Sequence, residues 1–286
     1  MDQPYVIGFL TDFGLTDPYV GICKAVISNL HPNCNIIDIT HEVSAQDVLQ
    51  GAIYLDISAK SFPKRTIFLA VVDPGVGTKR RPLVVKADKG FFIGPDNGLC
   101  SMALRHFDRV VPYEIETPLL KRLATKLGLP IEKSQTFHAR DIFAPAAALV
   151  LNGLEPEKFC SRLKSPIKTV DMPQPVVHGK TIVGQILYFD SFGNAATNIR
   201  KEDMSSLGCK GMDQSLSVRI LKRGRIVKKA IPFGKTFSSV EKGKPVSFIN
   251  SFGLMEVAVS CGSARDLLGL SKGDAIEVIC SKKANK

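Results

Sequence analysis

The sequence predicts an α/β amino-terminal domain with a largely parallel central sheet, followed by a smaller all-β domain of barrel or sandwich type. Three observations predict it. In the first half, short β-branched apolar runs alternate with helical patterns, as strands do when crossover helices join them. Two of those runs end at an acid followed by a polar turn, at Asp12 and Asp73, like buried strands reaching the rim of a sheet. In the second half the helical period fades and short strand-like runs separated by turns take over. The boundaries that follow are 1–165 for the α/β domain, 166–179 for a linker and 180–286 for the β-rich domain. The linker rests on Ser165 to Gly179, which holds three prolines and no clear period.

Composition sets the class. A chain of 286 residues, 44% hydrophobic and 23% charged, is long enough to bury a real core and suits a soluble globular protein. No apolar stretch reaches the length that crosses a bilayer. Met1-Asp2-Gln3-Pro4 runs straight into a strand pattern without a basic leader, so a cytoplasmic location with no membrane partner is expected. The cysteines at 23, 34, 100, 160, 209, 261 and 280 are scattered and form no CxxC, which predicts reduced thiols, no disulfide and no metal site. The net charge of +11 raises nucleic-acid binding. The basic residues are dispersed, however, apart from Lys79-Arg80-Arg81, Lys222 to Arg225 with Lys228-Lys229, and Lys282-Lys283-Lys286. With no tryptophan and little aromatic interleaving there is no stacking platform, and a basic solvated surface is the better reading.

The elements follow in order. Tyr5 to Leu10 is a strand, and Thr16 or Asp17 caps a helix that has Pro18 at its first position and runs to about Leu30. Asp12, in the loop between them, either accepts two hydrogen bonds from a vicinal diol such as a ribose or caps the helix. Asn35 to Ile39 is a strand and Val43 to Ser58 a helix opened by Ser44. The strand Thr66 to Val72 delivers Asp73 to a Pro-Gly-x-Gly turn, across which Arg80 can fold back onto it. That pair marks a ligand-binding rim or simply an ion pair closing a hairpin. Runs at Leu83 to Ala87 and Phe91 to Ile93 precede the sharp turn Gly94-Pro95-Asp96-Asn97-Gly98, which opens a helix ending near His106.

Residues 116–135 read as a polar surface excursion. His138 stands just before an apolar helix, Ile142 to Leu151, where the helix dipole favours a neutral imidazole. Such an imidazole suits a general base or a water-orienting group, although a structural histidine reads the same way. The second half holds strands at Thr181 to Phe189, Leu216 to Leu221, Val246 to Ile249, Leu254 to Val259 and Ala275 to Cys280, with one short helix at Ala264 to Leu268. Two polar turns interrupt them, Asp190 to Asn198 and Asn250 to Gly253. Asn194 offers a donor and an acceptor to a purine edge, or serves ordinary Asx-turn chemistry.

Together these motifs are more specific than apart. Phe9-Leu10-Thr11-Asp12-Phe13-Gly14, Asp73-Pro74-Gly75-Val76-Gly77-Thr78 with Arg80, Gly94-Pro95-Asp96-Asn97-Gly98, Thr136-Phe137-His138, Asp190-Ser191-Phe192-Gly193-Asn194 and Asn250-Ser251-Phe252-Gly253 occur in that order. The chain thereby resembles, from Tyr5 to about Val278, the S-adenosyl-L-methionine hydrolase (adenosine-forming) family, relatives of the fluorinase and chlorinase. The resemblance implies that Asp12 grips the ribose hydroxyls, that Asn194 reads the adenine, and that Phe137 contacts substrate. It further implies that Asp190 and Ser251 hold the methionine amino and carboxylate groups, and that Asp73, Arg80 and His138 position a water. Family members are trimers or paired trimers with sites between subunits, and no metal or other cofactor is implied.

The chemistry suits these residue types. Cleaving the C5′–S bond of a sulfonium releases a neutral thioether, so nothing that departs needs a proton. The protein must hold a water in line with C5′ and accept its proton, with Asp73 and Arg80 orienting it and His138 helping to remove the proton; which of the three is the base stays open. Halogenating relatives carry a hydroxyl where this chain has Ala139, an uncharged aromatic where it has Asp73, and an arginine where it has Phe252. An acid beside the nucleophile repels halide, which favours hydrolysis over a halide-dependent halogenase. A non-catalytic nucleoside- or nucleic-acid-binding module is the remaining alternative.

Overall fold

The computed structural model describes residues 5–129, 134–207, 216–222 and 225–280. The chain divides into two compact units, Met1–Asp171 and Met172–Lys286, and the division falls inside the proline-containing stretch 166–179.

The first unit is a seven-stranded sheet flanked by helices. Its strands are β1 (Val6–Thr11), β2 (Asn35–Thr40), β3 (Thr66–Val71), β4 (Pro82–Ala87), β5 (Gly90–Pro95), β6 (Val110–Ile115) and β7 (Cys160–Arg162), in the order β2-β1-β3-β5-β4-β6-β7. The expected largely parallel sheet is instead mixed. β2, β1, β3 and β5 run parallel, whereas β4, β6 and β7 join antiparallel. The reason is connection length: Ala87 pairs with Gly90 across Asp88-Lys89, and two residues can only close a hairpin.

The helices are α1 (Tyr19–Leu30), α2 (Val48–Ala59), α3 (Thr117–Lys126) and α4 (Ala144–Leu151). Helix α2 starts later than expected, because Asp47, not Ser44, caps it by accepting from the Gln50 N–H at 3.1 Å. Within the expected excursion 116–135, residues Thr117–Lys126 form α3, whose Leu120 and Ala124 recur at helical spacing and bury against the core. The turn after Gly94 leads only to a short 3-10 helix, Ala103–His106. Before α4, Ala139–Phe143 form one π-helical turn, a local widening common at functional sites.

What positions the site is the middle of the sheet. From β1 the chain crosses through α1 to β2 on one side, then through α2 to β3 on the other. The crevice beyond the carboxyl ends of β1 and β3 is therefore a topological switch point. β3 is buried along its whole length: Ile67, Leu69 and Val71 face the cluster under α1 and α4, and Phe68 and Ala70 face the cluster that holds Leu55 of α2. Thr11 pairs with Val71, so the chains leave both strands side by side at one rim.

The named strands of the second unit pair antiparallel: β8 (Val176–His178), β9 (Thr181–Phe189), β10 (Ala195–Arg200), β11 (Leu216–Lys222), β12 (Arg225–Pro232), β13 (Pro245–Ile249), β14 (Leu254–Val259) and β15 (Ala275–Cys280), with one short helix α5 (Ala264–Leu267). The order β12-β11-β15-β9-β10-β14-β13 nearly closes on itself, because Gly234 donates its N–H to the Ser247 carbonyl at 2.8 Å. Ile182, Ile186, Val218, Val257 and Ile276 fill the interior. The polar stretch expected to be loop up to Asn198 is a loop only to Asn194. Beyond it Ala195–Arg200 are strand, their buried Thr197 hydroxyl donating to the Met255 carbonyl and Asn198 bonding to Gln185 and Pro173.

Among the described residues, Cys23, Cys34, Cys100, Cys160 and Cys261 are free thiols. Cys280 is disulfide-bonded, which corrects the expectation of no disulfide. It stands at the end of β15, opposite Leu216 at the start of β11. Cys209, the basic tail Lys282-Lys283-Lys286 and the side chains at Arg225, Lys228 and Lys229 lie outside the described residues. Among the described residues no helix is long and apolar enough to cross a membrane, and no cluster of three or more His, Cys, Asp or Glu is placed to hold a metal.

Candidate active site

At the β1/β3 rim the first unit encloses a cavity of about 360 Å³, lined among others by Asp12, Gln46, Asp73, Phe137, His138 and Ala139. Asp12 follows the last residue of β1. Its Oδ2 accepts the backbone N–H of Gln46 at 2.8 Å, which ties the β1 loop to the entry of α2. Behind it, Thr11 Oγ1 and buried His41 Nδ1 lie 2.8 Å apart, and the Phe13 N–H donates to the same hydroxyl at 3.2 Å. Burial raises the Asp12 pKa and the nearby Asp73 charge adds to it, while the Gln46 N–H pulls it down.

Asp73 follows β3 and opens a tight turn in which Val76 donates back to the Asp73 carbonyl at 3.2 Å and Thr78 to Gly75 at 3.1 Å. Gly77 sits there at φ +78°, and a Cβ on it would meet the Gln135 carbonyl at 2.9 Å, so only glycine closes this turn. The turn brings Arg80 back onto Asp73. Nε donates to both carboxylate oxygens at 3.0 Å and Nη2 to Oδ2 at 2.5 Å, with both side chains only 6% exposed. The guanidinium also lies 5.2 Å from the centre of the Phe143 ring, contributed by the π turn.

The same Nη2 lies 2.7 Å from His138 Nδ1. A guanidinium has only donors, so Nδ1 is the acceptor and the imidazole is neutral with its proton on Nε2. Desolvation first and the Arg80 charge second lower the His138 pKa below its ordinary value. The neutral His138 expected from a helix dipole is produced instead by burial and Arg80. The consequence is chemical: with Nδ1 occupied and Nε2 protonated, His138 presents a donor, and the carboxylates at the cavity are those of Asp73 and Asp12.

An aromatic wall completes the cavity. Phe13, Tyr19 and Phe137 meet edge to face, with centroids 6.1, 6.1 and 5.2 Å apart. Phe137 is held from behind by the Arg140 guanidinium, 5.2 Å from its ring centre. Arg140 in turn bonds to buried Asp141 at 2.7 Å, which also accepts the Ser134 N–H at 2.8 Å. Ala139 carries no hydroxyl into the cavity.

The other expected binding residues lie on the second unit. Asp190 spends its carboxylate on its own hairpin: Oδ1 accepts the N–H groups of Phe192 and Asn194 at 3.0 and 2.8 Å, and Oδ2 accepts Asn194 Nδ2 at 2.9 Å. Asn194 is 3% exposed, and its side-chain oxygen is buried with no hydrogen-bond partner. A buried amide oxygen left unpaired is costly, which makes this one an acceptor still to be satisfied. Ser251 is exposed at the tip of a turn closed by Asn250, whose Oδ1 accepts from Phe252 and Leu254 at 3.0 and 3.1 Å. Asn250 Nδ2 donates at 2.9 Å to buried Glu256, whose carboxyl is raised in pKa by burial, with a smaller contribution from Asp190.

Sequence reasoning missed three contributors. Glu256 left a signal, a lone acid inside the apolar run Leu254–Val259. Tyr19 left a weak one, an aromatic at the start of a helix beside the Asp12 loop. Gln46 left none, since it acts through its backbone.

A cavity at the switch point of an α/β sheet, carrying a guanidinium bonded to both a carboxylate and an imidazole, defines a small-ligand α/β enzyme with an acid–base cluster in its binding crevice. Comparison with known proteins makes this specific. The chain belongs to the SAM hydroxide adenosyltransferase family, whose N-terminal domain matches residues 7–160 and whose C-terminal domain matches residues 184–277. It is 36% identical over 274 residues to a Thermus thermophilus protein named (R)-S-adenosyl-L-methionine hydrolase, covering 95% of this chain and 98% of that one. A Salinispora arenicola protein of the same name is 34% identical, with 95% and 97% covered, and the fluorinase of Nocardia brasiliensis is 27% identical, with 96% of each covered. A solved structure of an uncharacterized conserved protein from Thermotoga maritima superposes with a TM-score of 0.82 at 36% identity, covering 96% of this chain and all of the other.

Proposed function

We propose that this chain hydrolyses S-adenosyl-L-methionine to adenosine and L-methionine, by attack of water at C5′ in line with the departing sulfur. The observation that carries the reading is the Asp73–Arg80–His138 array at the cavity that Asp12 also lines. Hydrolase relatives at higher identity than the fluorinases support it. Asp12 binds the ribose diol, Phe137 and its aromatic neighbours wall the nucleoside, and Asn194 accepts a hydrogen bond from the adenine amino group. Ser251 contacts the methionine end. Asp190 shapes the turn that presents Asn194, a different emphasis from direct capture of the ammonium, because its oxygens already carry three hydrogen bonds.

In the step itself the water oxygen bonds to C5′ and the C5′–S bond breaks with its electron pair staying on sulfur. His138 Nε2–H donates to the water and fixes its orientation. Asp73, ionised and clamped by Arg80, accepts the proton, and Arg80 shares its charge so that no bare carboxylate stands beside C5′. The leaving group is a neutral thioether, so the chemistry calls for no metal or other cofactor. Substrate binding across a homotrimer, between one subunit's amino-terminal unit and its neighbour's carboxy-terminal unit, belongs to the same proposal, as does preference for the (R) sulfonium epimer that the relatives' names specify. A site gripping both ends of a pyramidal sulfonium cannot treat its epimers alike.

The test is turnover of epimer-resolved substrate in ¹⁸O-labelled, chloride-free water. Label in the adenosine 5′-hydroxyl, formed faster from the (R) epimer, is the expected result. No adenosine, with a 5′-chloronucleoside appearing when chloride is added, would replace the hydrolase with a halogenase.

A further inference from the structure

We infer that Gln46 is a positioning residue for the ribose: its left-handed backbone conformation aims its N–H at Asp12 and fixes the carboxylate that meets the diol. The inference rests on the proposed role of Asp12, and its test separates the two.

Gln46 is one of four described non-glycine residues with positive φ, at 65°. For a residue with a Cβ this conformation is unfavourable, and surrounding structure must impose it. The surroundings do. The Ser44 N–H donates to Gln50 Oε1 at 3.0 Å and the Asp47 N–H to the Ser44 carbonyl at 2.9 Å. The Gln50 N–H donates to Asp47 Oδ1 at 3.1 Å, and the Val48 N–H to the Gln46 carbonyl at 3.1 Å. Gln50 is 3% exposed, so the clamp is anchored in the packed face of α2.

The turn held in this way sends one N–H outward, 2.8 Å to Asp12 Oδ2. Asp12 stands in a loop after β1, where a carboxylate with no anchor rotates freely about its last torsion. With Oδ2 tied to the Gln46 N–H, and Asp12's own N–H also on the carboxylate, its plane is set before a pair of hydroxyls meets it. The left-handed state suits glycine better, and glycine would donate the same N–H. Gln46 itself is exposed, so its part is the backbone donor and not its side chain.

The experiment measures the affinity of the protein for adenosine and for 2′,3′-dideoxyadenosine by calorimetry. The wild type is expected to favour adenosine by about tenfold or more, the worth of one or two hydrogen bonds to a charged acceptor. Gln46→Gly keeps the N–H and the conformation and should hold that ratio within about twofold. Gln46→Val, β-branched and poorly suited to positive φ, should bring the ratio to within about threefold of unity, leaving dideoxyadenosine affinity unchanged. Asp12→Ala should abolish the preference.

A wild-type ratio in Asp12→Ala overturns the reading of Asp12 as the diol-binding group. Loss of preference in Asp12→Ala with a wild-type ratio in a folded Gln46→Val overturns the role of Gln46 alone. Should Gln46→Val not fold, replacing the residue 46 amide by an ester through semisynthesis deletes the donor and keeps the side chain, and the same ratio decides.

Discussion

Replacing Asp73 by asparagine is the most informative perturbation of the proposed site, because it preserves shape and removes one charge. Asp73 and Arg80 are each only 6% exposed, and three N–H···O contacts join them. Removing one partner of a buried ion pair outright costs about 3–5 kcal/mol, since the other charge is stranded. Asparagine keeps one oxygen for Nε or Nη2, which places the expected loss nearer 2–3 kcal/mol. For a unit of this size that lowers Tm by roughly 4–12 °C, and the protein stays folded at room temperature. The effect on turnover is larger. Losing the proton acceptor removes a term worth about 10²–10⁴ in rate, or some 2.7–5.5 kcal/mol of barrier. The assay is chromatographic detection of adenosine, with adenosine binding and thermal unfolding measured on the same sample. Asp73→Asn turning over within about threefold of wild type would refute the acceptor role. Parallel loss of adenosine binding would reassign Asp73 to holding the cavity's shape.

The other predictions concern pH, charge and the second unit. The His138 pKa is lowered in the folded protein, so the unfolded chain takes up its proton first as pH falls. Stability should therefore rise with pH through the window between the lowered pKa and the ordinary value near 6.5; activity should fall off on the acid side of the same window, and His138→Gln should flatten that part of the thermal-stability profile. Asp12 is the opposite case. Its pKa is raised, so ionising it opposes folding, and Asp12→Asn should raise Tm at neutral pH, with the gain vanishing below the ordinary carboxylate pKa while adenosine affinity is lost. Asn194→Ala should weaken adenosine binding by about tenfold through its lost acceptor, read by calorimetry. Ala139→Ser should leave turnover chloride-independent as long as Asp73 remains, read by product analysis with and without chloride.

The two rim acids were legible because each ends an apolar run in the sequence, and burial of β1 and β3 then dictates where they emerge. The Asp73–Arg80 pair was legible because only seven positions and a glycine turn separate them. His138 lies 58 residues from Arg80, and no spacing rule brings them together; only the match of several ordered motifs did. What escaped is what depends on pairing partners rather than on local pattern. The mixed sheet follows from the hairpin between β4 and β5, and the polar run after Asn194 becomes strand because Met255 and Gln185 supply its hydrogen bonds. The left-handed Gln46 escaped altogether, since nothing in a glutamine's chemistry announces positive φ.

The charge balance of the proposed reaction explains why the acid at position 73 suits water and not halide. With His138 neutral, Asp12, Asp73 and Arg80 give the cavity one net negative charge, which favours a sulfonium. When water attacks, the positive charge on sulfur is not destroyed; it reappears as the proton shed by the new alcohol. Asp73 receives that proton, so a single group serves the cation before the step and its remainder afterwards. Halide attack sheds no proton, because the nucleophile's own charge cancels the sulfonium. A carboxylate beside C5′ would then repel the reagent and have nothing to accept. In the proposed reaction the residue at position 73 thus separates the two chemistries by whether the step must dispose of a proton, and Arg80, bonded to both its oxygens, keeps it aimed.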